Sequence, residues 1–118
     1  LGIAKRLMHC RPEEISVCSV VKAELFYGAA KSKHPEQSRL VQEQFLAPFH
    51  SFSFDDSAAI VYGNIRARLA SIGSIIGPND LMIASIALAH DLILVTANIR
   101  EFSRVPSLRY ENWEEQPL

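Results

Sequence analysis

A four-residue apolar run, Leu92-Ile93-Leu94-Val95, lies between the polar residues Asp91 and Thr96 and restricts the fold more than any other feature. A strand with one wet face alternates apolar and polar residues. A short continuous run is instead the pattern of a parallel strand covered on both faces. Immediately before it, Leu81 to Ala89 is the most apolar stretch of helical length in the chain, so a central helix is expected to feed that strand. Further strands are predicted at Glu14 to Cys18, a β-branched alternating segment after Pro12, at Ser51 to Phe54, and at Leu108 to Tyr110. Strands alternating with helices predict an α/β protein: a three-layer α/β/α arrangement around a mainly parallel central sheet.

The helices carry start and stop signals. Ser19 is a candidate N-cap for a helix running to about Ser32. Its residues Val20, Val21, Ala23, Leu25, Phe26, Tyr27, Ala29 and Ala30 leave almost no polar side, so it is expected to be buried. Pro35 suits the first position of a second helix, whose Leu40, Val41, Gln44 and Phe45 recur about once per turn and which Pro48 closes. Asp55 or Asp56 can cap a third helix that Gly73 ends, and Asn79 is a candidate cap for the helix that begins near Asp80. An acidic tail from Asn112 is expected to be anchored by Trp113. There is no repeat, low-complexity tract or linker, so residues 1–118 are expected to form one domain.

Composition removes several classes of function. Twelve Lys and Arg against 13 Asp and Glu give a net charge of −1, which provides no global attraction for a polyanion, so any nucleic acid must be held locally. No window approaches the roughly 18 uninterrupted apolar residues of a membrane span. Cys10 and Cys18 form no CxxC, and the four His residues lack ligand spacing, so zinc is not expected and free thiols in a reducing cytoplasm are. Leu1 to Cys10 lacks the pattern of a signal peptide.

In an open parallel sheet, ligands gather beyond the carboxyl ends of the strands, so polar residues just after each strand are the candidates for chemistry. Glu24 follows the first strand, and its helical neighbours Val20, Val21, Tyr27 and Gly28 form an apolar or small-residue face on which a carboxylate needs a salt bridge, an exposed helix edge or a metal. Asp80 opens the most apolar helix, as an N-cap or dipole partner or with its carboxylate turned to face the sheet end. After the last long strand come Thr96, Asn98, Arg100 and Glu101, which on their own read equally well as turn, cap and solvated-pair residues. Brought together, these residues make an oxygen-rich site without His or Cys, suited to Mg²⁺ or Mn²⁺ and to phosphodiester hydrolysis. Arg66, Arg68, Arg100 and Arg104 are candidate phosphate contacts.

Three segments resemble the PIN-domain ribonucleases, and among them the VapC-type toxins of bacterial toxin–antitoxin pairs. Val20-Val21-Lys22-Ala23-Glu24-Leu25-Phe26-Tyr27-Gly28-Ala29 is similar to the family's helix with an acid before Tyr-Gly, and Gly77-Pro78-Asn79-Asp80-Leu81-Met82-Ile83-Ala84 to its central Asp motif. Thr96 to Pro106 and the closing Glu111-Asn112-Trp113 are similar to its strand-end motif and tail. The resemblance implies a PIN-like fold and a metal-dependent endoribonuclease in which Glu24 and Asp80 bind Mg²⁺ or Mn²⁺. Asn98 or Glu101 would complete the site, Thr96 would support its loop, and Arg100 and Arg104 would contact RNA. It also implies a VapB-type antitoxin, a homodimer and a cytoplasmic location.

Two departures matter. The family opens on an apolar strand ending in an Asp-Thr-Asn-like motif whose Asp is a principal metal ligand, whereas this sequence starts at Leu1, inside the helix that follows. That strand and its Asp are absent from the 118 residues, so activity is expected to require them. Asn98 stands where many relatives carry Asp; it offers a carbonyl oxygen but no charge, which leaves Glu101 to supply the remaining acid. The alternative is a non-catalytic module that binds an antitoxin or RNA without cleaving it. A phosphoacceptor receiver domain is disfavoured, because no Asp ends an apolar strand and no Lys follows a later one.

Overall fold

A computed structural model describes residues 2–114. In chain order the elements are α1 (Gly2–Met8), a 3₁₀ turn (Pro12–Glu14), β1 (Ser16–Cys18), α2 (Ser19–Ala30), α3 (Pro35–Leu46), β2 (His50–Phe52), α4 (Asp56–Ser71), α5 (Pro78–Ala89), β3 (Leu94–Val95), α6 (Ile99–Phe102) and β4 (Tyr110–Glu111). The chain is α/β, as expected, and its strand pairs are parallel. Among the described residues the strands form two parallel pairs, β1–β2 and β3–β4. The backbone divides into two compact units, Cys10–Ser53 and the residues on either side of it.

In the Cys10–Ser53 unit, β1 pairs with β2 in the register Ser16↔His50, Val17↔Ser51, Cys18↔Phe52, and α2 packs against α3. The N-cap of α2 is the extended Cys18 rather than Ser19, which is already inside the first turn. Pro35 takes a first-turn position of α3, and the turn before it is closed by the Ser32 hydroxyl, which donates to Ala29 O at 2.7 Å and lies 3.1 Å from the Ser38 hydroxyl.

The expectation that α2 is buried is not met: Ala29 is its one buried residue, and Leu25, Tyr27 and Glu24 are exposed. Apolar side chains surround this helix instead of forming a stripe, so packing one side against α3 leaves the others in solvent. The predicted apolar face of α3 is likewise outward. Leu40, Val41 and Phe45 are all exposed, while Leu46 is buried.

In the other unit, α4 packs along α5. Asp55 is the N-cap of α4: its Oδ1 accepts from the Ala58 amide at 2.9 Å, and its Oδ2 lies 3.0 Å from His90 Nε2 at the C-cap of α5. Gly73 ends α4 with φ +67°, a left-handed conformation that only glycine adopts freely. Gly73 N donates to Ala70 O and Ser74 N to Leu69 O, the paired bonds of a Schellman cap. Helix α5 is the core. Leu81, Ile83, Ala84, Ser85, Ile86 and Ala87 are buried, with the Ser85 hydroxyl donating to Leu81 O at 2.7 Å. Ala58, Leu69, Ile76, Phe102, Val105, Leu108 and Trp113 complete that core.

Strand β3 is shorter than the apolar run that predicts it. Asp91 has φ +54°, and Leu92 N donates to Ala87 O at 2.8 Å, so Leu92 belongs to the cap of α5. Ile93 and Val95 are exposed, so among the described residues the run is not covered on both faces. The final strand begins at Tyr110 rather than Leu108. Trp113 anchors this end as expected. It is buried, its Nε1 donates to Glu111 Oε1 at 2.9 Å, and Arg6 of α1 lies 4.9 Å over its ring and 3.2 Å from the same carboxylate oxygen. Residues 115–118 of the predicted tail lie outside the described residues. Cys10 and Cys18 are free thiols, and no helix of the described residues is long and apolar enough to cross a membrane.

Candidate active site

Two helix N-termini converge in the larger unit. Gly77 is the N-cap of α5 and Asn98 that of α6, so Asp80 and Glu101 each stand at the third helical position. That position favours an acid, because the first-turn amides and the helix dipole stabilise negative charge. The cap of α5 is Gly77, not Asn79, which sits exposed in the first turn.

Glu101 reaches across instead of back. In a local capping box its carboxylate would accept from the amide of its own N-cap, Asn98. Here Glu101 Oε1 accepts from the amide of Gly77, the N-cap of the other helix, at 2.7 Å. Asn98 Nδ2 donates to Asp80 Oδ2 at 3.0 Å and to Glu101 Oε2 at 3.3 Å. One amide thereby bridges the two carboxyl groups. Thr96 stabilises the turn that carries it: its Oγ1 accepts from Asn98 N at 3.0 Å, and its own amide donates to Glu111 O across β3–β4.

The Gly77 amide first, and then a hydrogen bond with Asp80, hold the Glu101 carboxyl below the usual carboxylate range. Burial opposes this, and Asn98 and the Arg104 guanidinium reinforce it. Arg104 is partly buried, and its Nη1 donates to Ile75 O at 2.9 Å. Arg100 is exposed.

Of the residues expected from sequence, the structure brings together Asp80, Asn98, Glu101 and Thr96. Glu24 stands in the Cys10–Ser53 unit. Two participants went unforeseen: the Gly77 amide and the Ile75 carbonyl. The only trace of the first in the sequence is Gly77-Pro78 ahead of the apolar helix, and backbone groups otherwise leave no side-chain signature.

Among the described residues no three His, Cys, Asp or Glu side chains gather into a metal-holding group. The Asp80 and Glu101 carboxylates supply oxygen donors, with neither sulfur nor imidazole among their described partners. They fit a hard divalent cation that takes one or two carboxylates and completes its shell with water and phosphate oxygens.

The PIN domain family matches residues 2–108, and the chain belongs to that family. Its relatives there are VapC ribonucleases. Ribonuclease VapC2 of Rickettsia felis is 45% identical over 101 residues, covering 86% of this chain and 75% of that protein. The tRNA(fMet)-specific endonuclease VapC of Salmonella typhimurium is 44% identical over 97 residues, covering 82% of this chain and 74% of that protein. The crystal structure of DNA-bound VapBC from Salmonella typhimurium matches with a TM-score of 0.87 at 40% identity, covering 95% of this chain and 84% of that one. VapC nucleases of the PIN family are generally dependent on a divalent metal.

Proposed function

We propose that this protein is a metal-dependent endoribonuclease toxin that hydrolyses RNA phosphodiester bonds and is inhibited by a VapB-type antitoxin. The observation that carries the reading is the pairing of Asp80 with Glu101 through Asn98, on a chain that is 45% identical over 101 residues to ribonuclease VapC2 of Rickettsia felis. We read residues 1–118 as one PIN-like domain, supported by a family match that runs through both compact units. The matched structures that contain VapBC support an antitoxin partner. A homodimer and a cytoplasmic location complete the reading.

Asp80 and Glu101 would hold Mg²⁺ or Mn²⁺, and the family resemblance proposes Glu24 of α2 as a metal ligand. The cation would supply Lewis acidity toward a phosphodiester oxygen and would lower the pKa of a water. Asn98 keeps the two carboxylates together; because its NH₂ faces both of them, it acts as a positioning residue. Thr96 fixes the turn on which Asn98 sits. Arg100, exposed beside Glu101, contacts the RNA phosphates.

The test is cleavage of tRNA, the substrate in the Salmonella relative's name, with Mg²⁺ or Mn²⁺. It is run with this chain and with a version extended upstream by an Asp-bearing strand, each beside Glu24→Gln, Asp80→Asn and Glu101→Gln. Cation-dependent cleavage that falls at least a hundredfold in Asp80→Asn supports the proposal. Undiminished cleavage in Asp80→Asn and Glu101→Gln refutes the site. Binding of tRNA or antitoxin with no cleavage by either version favours a non-catalytic module.

A further inference from the structure

Glu101 owes its orientation to a short ring of contacts. Its Oε1 accepts from Gly77 N at 2.7 Å, and its backbone carbonyl accepts from Arg104 N at 3.1 Å. Arg104 then turns back over the start of α5, donating from Nη1 to Ile75 O at 2.9 Å. The ring therefore runs from the Glu101 carboxylate through Gly77 and residue 75 to Arg104, and home through one helical turn. Within residues 75–77, Ile76 is buried but the Ile75 side chain is exposed. Among the described contacts, the Ile75 end of the segment is held by its backbone carbonyl, and the group that holds it is Arg104.

We propose that Arg104 is a positioning residue: by holding the Ile75 carbonyl it sets residues 75–77 so that the Gly77 amide orients the Glu101 carboxylate. The proposal rests on the reading of Glu101 as a metal ligand and assigns Arg104 a task other than the phosphate contact expected from sequence. Glu101 has two carboxylate oxygens. With Oε1 committed to Gly77, Oε2 is the one turned toward Asn98 and shared with the Asp80 side. If the Gly77 amide is displaced, the carboxylate regains rotational freedom, and a cation must order it before binding. Outer contacts of this kind are worth roughly 10–100-fold in metal affinity.

The experiment compares Arg104→Gln, Arg104→Lys, Gly77→Pro and Glu101→Gln with the unmutated chain, with folding checked by circular dichroism. Gly77 has φ −58° and ψ 150°, so proline fits its backbone while deleting the amide donor. Mn²⁺ affinity is measured by titration without RNA, and the Gly77 amide proton is followed by NMR. Arg104→Gln is expected to weaken Mn²⁺ binding about tenfold and to shift the Gly77 amide upfield, as Glu101→Gln does. Arg104→Lys restores most of both effects. Gly77→Pro weakens Mn²⁺ to a similar degree, and combining it with Arg104→Gln adds little, because both act through one contact.

A Gly77 amide that does not respond to Arg104→Gln overturns the proposal. So does an Arg104→Gln variant with intact Mn²⁺ affinity but a raised KM for RNA and a shallower salt dependence, the mark of a phosphate contact. If Glu101→Gln leaves Mn²⁺ affinity untouched while the Gly77 amide still responds to Arg104→Gln, the ligand reading has failed and the metal role of Arg104 fails with it.

Discussion

Replacing Asn98 with Asp tests whether the amide is what allows Asp80 and Glu101 to sit together without a cation. The bridging nitrogen lies 3.0 Å from Asp80 Oδ2 and 3.3 Å from Glu101 Oε2, so Asn98→Asp puts a third carboxylate in its place. At the dielectric of water, appropriate to this exposed site, each new repulsion is worth about 1 kcal/mol. The two lost hydrogen bonds to charged acceptors add about 1.5 kcal/mol apiece at the low end of their range. Protonating one acid at pH 7 limits the total to about 4 kcal/mol, so the variant should lose up to about 4 kcal/mol in low salt with chelator present. The added repulsion disfavours the charged forms of the clustered carboxyls in the folded variant. The loss should therefore be greatest where all three are charged and fade as pH falls through the ordinary carboxylate range. Mn²⁺ should recover more stability in the variant than in the unmutated chain, since it binds the folded form and relieves the repulsion. Urea unfolding between pH 7.5 and 4, with EDTA or Mn²⁺, measures all three effects. A loss of equal size at both pH values and indifferent to Mn²⁺ would refute the bridging role.

Ile86, buried at the centre of α5, should lose about 2–5 kcal/mol on truncation to Ala, whereas the exposed Ile72 should change by no more than about 0.5 kcal/mol; urea unfolding distinguishes them. Asp55 is held below the usual carboxylate range by the Ala58 amide first and by His90 second. A depressed folded-state value gives stability that is present above the ordinary carboxylate range and lost as pH falls through the folded value. Asp55→Ala should therefore melt earlier than the unmutated chain near neutral pH, with the gap closing in acid. Asp55→Asn should keep part of the difference, because an amide oxygen can still cap Ala58.

The legible parts of the fold are those set by local chemistry. Pro35 and Asp55 start their helices and Gly73 ends one, because fixed φ, a short acceptor and left-handed freedom are properties of single residues. Burial is not local. The composition of α2 reads as buried from every side, yet whether an apolar surface is covered depends on which elements pack against it, and periodicity carries no record of that. Strand length failed for a related reason. Leu92 is as apolar as Leu94, but the left-handed Asp91 commits its amide to the end of α5, so the ladder starts two residues later.

The site divides along the same line. Asp80, Asn98 and Glu101 stand out because each is polar at a place where the chain turns from apolar strand or loop into helix. Those are also the places where capping demands the same residue types. Local sequence therefore does not separate a cap from a ligand, and in the proposed site both roles fall on the Glu101 side chain, the cap on Oε1 and the face toward Asn98 on Oε2. Glu101 caps a helix, but not its own: its carboxylate serves Gly77 at the start of α5. That exchange lets one acid serve a helix end with Oε1 and face Asn98 with Oε2. A capping box closed on Asn98 would turn Glu101 toward its own backbone and away from Asp80. Reaching across to α5 brings the carboxylates of two helices to one amide, so the hydrogen bonds that satisfy the helix ends also assemble the acidic pair. The stability of this corner and its affinity for a cation should accordingly change together, and a variant that severs either Gly77 or Asn98 from Glu101 should alter both.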